Sequence, residues 1–122
     1  MPDAFITLTQ RMLSKTEINA NKTVIAFLKE ELGLDYNDKF FENRNKFTIT
    51  GQYSDGEKVN VNFFRRSGRG DKMISIQKLK QYAKAGDKIR LSFNDEETRI
   101  YILLEHLLAH VVDSGEHDET NS

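Results

Sequence analysis

The chain has 122 residues, with 18 Lys and Arg against 19 Asp and Glu and no cysteine. That length supports one hydrophobic core and not two, and the missing thiols exclude a disulfide framework and thiolate metal sites. No apolar run reaches the length of a bilayer span, and the first eight residues lack the basic start and long apolar stretch of a signal peptide, so a reducing, intracellular (cytoplasmic) setting is expected.

The elements follow in chain order. Phe5, Ile6 and Leu8, interleaved with Thr7 and Thr9, predict a first strand. Gln10 to Lys22 is polar and basic, with Met12, Leu13 and Ile18 as its apolar anchors. A helix follows, because Val24, Phe27, Leu28 and Leu32 share one face. Asn21 or Thr23 is its candidate cap and Gly33 its stop. Leu34 to Asn45 reads as a turn-rich connection that tucks Phe40 and Phe41 into the core.

The clearest local signal is a hairpin. Phe47, Ile49 and Tyr53 alternate with polar residues, Asp55-Gly56 turns the chain, and Val59, Val61 and Phe63 alternate on the return. Met73, Ile74 and Ile76 predict a short strand, and Ile76, Leu79, Lys80 and Ala83 a short helix. After a turn at Ala85-Gly86-Asp87, Ile89, Leu91 and Phe93 form another strand, and Asn94-Asp95 leads into a strand over 99–103. Leu104, Leu107, Leu108, Val111 and Val112 are spaced for a terminal helix over 104–112, which can dock on the body or form a homodimer. The expected architecture over 1–112 is a single mainly β domain with two or three short helices, a small open β-barrel or sandwich. Residues 113–122 are polar and acidic without an apolar anchor, which predicts a disordered tail.

Charge is unevenly distributed. Every cation precedes Asp113, and Asp113, Glu116, Asp118 and Glu119 follow it. Setting those four acids aside leaves 18 cations against 15 anions, or +3, on the body. Two segments hold the densest unpatterned cations and amides. One is Gln10 to Lys22, with Arg11, Lys15, Thr16, Asn19, Asn21 and Lys22. The other runs from Arg65 to Lys72, with Arg65, Arg66, Ser67, Arg69 and Lys72 around two glycines. Lys, Arg and Thr suit phosphates, while Asn and Arg have the planar donor groups that read base edges. Asn60 and Asn62 lead to the second segment and are weaker candidates. Alternation turns Phe63 inward and leaves Phe64 free to stack on a base. The residues alone leave three classes open: a duplex DNA binder, a single-strand or RNA binder, and a protein-interaction module with an acidic partner.

Other chemistries find little footing. His106 and His110 are spaced to share a helix face, but no Cys completes a zinc site and Leu107 stands where HExxH needs Glu. Asp55, Glu57 and Lys58 miss the acid-x-Lys spacing of a Mg²⁺-dependent nuclease, and all three His lie too late for a Ser-His-Asp order. Gly68-Arg69-Gly70 lacks the setting of a phosphate-binding glycine loop, and Arg69-Gly70-Asp71 is a chance match to an adhesion tripeptide. No catalysis, metal or cofactor is expected.

The segment Ile76 to Phe93, a short helix, a Gly-Asp turn and a strand ending in Phe, resembles the DNA-binding pseudobarrel family. That family includes plant B-three domains and the recognition domains of EcoRII/BfiI-type restriction endonucleases. Tyr101-Ile102 is similar to its closing strand, and Leu8 to Lys22 followed by the Val24 helix is similar to its first strand, arm and helix. By element order the resemblance covers about residues 5–103. It implies a non-catalytic module that grips double-stranded DNA with two arms in the major groove. One arm lies between the first strand and first helix, here 10–22, and the other between the fourth and fifth strands, here 65–72. The chain has no Trp, which plant members commonly carry, and its Arg-rich loop looks closer to the restriction-type domains.

Overall fold

The computed structural model describes residues 2–43, 45–66 and 70–105. Its strands are β1 (Ala4–Thr7), β2 (Glu17–Asn19), β3 (Phe47–Tyr53), β4 (Lys58–Arg65), β5 (Lys72–Ile76), β6 (Lys88–Asn94) and β7 (Arg99–Leu104). Three short helices interrupt them, α1 (Gln10–Lys15), α2 (Lys22–Leu32) and α3 (Leu79–Tyr82), together with a 3-10 turn at Lys39–Asn43. All seven strands join one curled, half-barrel sheet in the order β1-β6-β7-β3-β4-β5-β2. Neighbours are antiparallel except β3 and β7, which run parallel. The fold is therefore mainly β, a small open barrel, as the alternation predicted. No helix among the described residues is long and apolar enough to cross a membrane.

Period-two alternation sends one side of each strand into a common core. Ile6, Ile18, Val61, Phe63, Ile74, Ile89, Leu91, Ile100 and Ile102 meet there, and α2 adds Val24, Phe27 and Leu28. Two buried tyrosines keep their hydroxyls satisfied. Tyr36 Oη donates to the Met73 carbonyl at 2.9 Å and Tyr53 Oη to the Gln77 carbonyl at 2.8 Å, which removes the penalty of burying a bare phenol. At the hairpin tip Gly56 adopts φ +94°, and its N–H donates to the Tyr53 carbonyl. Tyr82 of α3 stacks on Tyr53, ring centroids 3.8 Å apart and 4° from parallel, and donates to Asp55 Oδ2 at 2.9 Å.

α2 is bounded as its sequence predicts. Asn21 Oδ1 accepts from the Val24 N–H at 3.0 Å, and Gly33 closes the helix in the left-handed region at φ +71°. The same N-terminus is laced to the outer side of β1. Asn21 Nδ2 donates to the Phe5 carbonyl at 2.8 Å, and the Phe5 N–H donates to Thr23 Oγ1 at 2.9 Å.

Several expectations need correction. Gln10 to Lys22 is not an unpatterned arm: it forms α1 and β2, because Leu13 and Ile18 are buried and fix both in place. Phe41 is buried, but Phe40 is 42% exposed and meets Phe41 edge-on at 5.0 Å. Three residues per turn put adjacent side chains of a 3-10 turn on different faces, so both rings cannot enter the core. Ile76 ends β5, and the following helix begins only at Leu79. Leu104 ends β7 and is buried in the sheet. The rest of the expected terminal helix, the two histidines 106 and 110, and the acidic tail lie outside the described residues.

Candidate nucleic-acid interface

The two basic segments become neighbours through one strand pairing. β2 lies antiparallel to β5, with Glu17 opposite Ser75, Ile18 opposite Ile74 and Asn19 opposite Met73. β5 in turn pairs with β4, whose end carries Arg65 opposite Lys72. The first segment thus runs at strand spacing, about 4.8 Å, from one limb of the second.

The approach to β2 is built from local rules. Thr9 caps α1 by accepting from the Met12 N–H at 3.2 Å, and Lys15 stands in its last turn, where the helix dipole favours a cation. Thr16 then takes a left-handed conformation at φ +64°, rare for a β-branched residue. That conformation costs about 1–2 kcal/mol and swings the chain sharply into β2. Alternation along β2 points Ile18 into the core and leaves Glu17 and Asn19 on the outer face.

The result is an open cleft of about 280 Å³ between α1, β2 and the end of β4. Arg11, Lys15 and Arg66 supply its cations, Asn19 its amide and Glu17 its one carboxylate. Met12 and Met73 contribute apolar wall. Arg66 spans the two segments: its Nη2 lies 3.0 Å from Glu17 Oε1, and its Nη1 lies 4.0 Å from Asp71 Oδ2. The Arg66 N–H donates to the Asp71 carbonyl at 2.9 Å and closes the neck of the loop.

The remaining candidates divide. Lys22 is exposed in the first turn of α2, which holds no acidic residue. A cation there opposes the helix dipole. Asn21 is exposed, but both ends of its amide are engaged, one capping α2 and one holding β1. Thr16 is exposed and serves as the turn. Arg65 is half-buried: its Nε donates to the Gly70 carbonyl at 3.3 Å and its Nη1 to the Tyr36 carbonyl at 3.5 Å, so it braces the loop from the core side. The half-buried Lys72 accepts at its carbonyl from the Ala20 N–H at 2.8 Å, which ties the segments a second time. Ser67 and Arg69 lie outside the described residues. Asn62 accepts from Thr48 Oγ1 at 2.5 Å and donates to Ser75 Oγ at 3.1 Å, a ladder across three strands, while the Asn60 N–H donates to Gln77 Oε1.

Phe64 corrects its expectation. It points outward by alternation, yet only 6% of it is exposed. Met73 lies opposite it in register, and Lys46 places its Nζ 4.8 Å from the ring centroid. The ring is covered and not free for stacking.

Two participants escaped the sequence reading. Glu17 faces the cleft, and the polar-apolar-polar run Glu17-Ile18-Asn19 was the strand signal that would have found it. Lys46 extends the cationic surface past Phe64, and nothing local marked it. Among the described residues, no group of three His, Cys, Asp or Glu is arranged to hold a metal ion. Comparison with known protein families, with curated proteins and with solved structures gave no significant match to this chain.

Proposed function

We propose that this chain is a non-catalytic double-stranded DNA-binding module of the pseudobarrel kind, which engages the major groove with both basic segments. The observation that carries the reading is the pairing of β2 with β5, which sets Arg11, Lys15, Asn19 and Arg66 around one cleft. Long cationic side chains at its rim suit phosphate oxygens, and the Asn19 amide and Arg66 guanidinium have the donor geometry that base edges require. Lys22, placed against its helix dipole, is a local cost of the sort found at functional surfaces. The segments lie between β1 and α2 and between β4 and β5, where the resemblance implies the two arms.

Fluorescence anisotropy with a short duplex of random sequence tests the reading. R11A/R66A should weaken binding about ten-fold or more, since each lost charged hydrogen bond is worth about 1.5–3 kcal/mol. It should also flatten the slope of log K against log salt by about 1.8, at roughly 0.9 per phosphate contact. K29A/K58A removes the same net charge elsewhere and should change both quantities little. Equal losses in the two variants would refute the assignment. Binding to no nucleic acid would return the cleft to the rival reading, an acidic protein partner.

A further inference from the structure

One carboxylate interrupts the cationic cleft. The register of β2 on β5 fixes Glu17 on the outer face beside Asn19, so the fold itself holds an anion where a phosphate-binding surface gains nothing from one. Its Oε1 accepts from Arg66 at 3.0 Å, and Asp71 stands 4.0 Å from the other end of the same guanidinium. The side chain that spans the two segments is therefore already occupied in the free protein.

Two kinds of ligand meet this pair differently. A phosphate that draws Arg66 away brings its own negative charge towards Glu17 and gains less than it would from a free arginine. A base edge is uncharged. Guanine O6 and N7 accept from an arginine fork, and a glutamate accepts from the amino group of cytosine, so a G·C pair has partners for both residues. We infer that Glu17 is a specificity-determining residue that withholds Arg66 from bare backbone phosphate and yields it to the major-groove edge of a G·C pair. The inference rests on the DNA-binding reading above, and it makes the carboxylate a brake on sequence-independent binding.

The test measures random duplex, and a best site selected from a random pool, against the wild type, E17Q, E17D, R66A and E17Q/R66A, each checked for folding by circular dichroism. E17Q should bind random duplex about two- to five-fold tighter, the worth of an exposed ion pair, with a salt slope steeper by about 0.9. Its preference for the selected site over random duplex should fall, and E17D should behave as the wild type. In the R66A background the gain from E17Q should vanish. A gain of equal size in that background, or no gain in E17Q while R66A weakens binding, would overturn the inference and leave the DNA-binding reading standing. Silence of all five proteins towards duplex would overturn both.

Discussion

Gly51 offers the sharpest test of how the barrel is packed. It sits in β3 where an antiparallel neighbour meets a parallel one, opposite Val59 on one side and Ile100 on the other. A Cβ added there would lie 2.7 Å from Val61 Cγ2 and 2.9 Å from Ile102 Cδ1. The isoleucine methyl can rotate away, but the valine is stiff at χ1. Overpacking of this kind costs about 1–3 kcal/mol, and replacing glycine within a strand returns roughly 0.5–1 kcal/mol. G51A should therefore lose about 1–2 kcal/mol, or roughly 5–15 °C in Tm for a domain of this size. Removing the colliding methyl separates packing from propensity. In a V61A background the added Cβ enters vacated space, and G51A should become neutral or stabilising, a coupling of about 1 kcal/mol or more. Urea denaturation followed by circular dichroism measures all four proteins. A G51A penalty that is the same in both backgrounds within about 0.5 kcal/mol, or a G51A as stable as the wild type, would refute the packing argument.

N21A should cost about 0.5–2 kcal/mol for the lost cap and about 1 kcal/mol for the lost bond to the Phe5 carbonyl, whereas N21D, which keeps the acceptor for the Val24 N–H, should recover the larger share. Duplex affinity of folded N21A should match the wild type, because the amide is already engaged; a selective loss of affinity would reassign it to recognition. Burial pushes the phenols of Tyr36 and Tyr53 well above their ordinary value of 10.0. Folded-state pKa values above the unfolded ones give stability that is full below about pH 10 and is lost as pH rises towards the folded values. The urea midpoint should hold up to that pH and then fall, and the fall should be shallower in Y36F; a midpoint flat to about pH 12 would contradict this.

Much of the fold was legible because its signals are local. The hairpin at Asp55-Gly56 needs only alternation and a glycine with positive φ, and α2 needs one apolar stripe, Asn21 and Gly33. β2 was not legible because it has three residues and its partner lies more than fifty positions away. The parallel pairing of β3 with β7 has no sequence mark at all. The outward burial of Phe64 depends on Lys46 and Met73 arriving from other strands. The candidate site divides in the same way. Its cations were visible as runs of charge, but their convergence depends on the β2–β5 register. The bracing use of Arg65 and the double engagement of Asn21 depend on carbonyls that only the folded chain supplies.

The lacing of Phe5 to Asn21 and Thr23 has a consequence for solubility. β1 ends the sheet, and its outward amide and carbonyl at Phe5 would otherwise be a template for another chain to add a strand. Two side chains from the start of a helix occupy those groups in place of a strand. Resistance to self-association therefore depends on two small polar residues, and their loss would make concentration, more than temperature, the condition under which the protein fails.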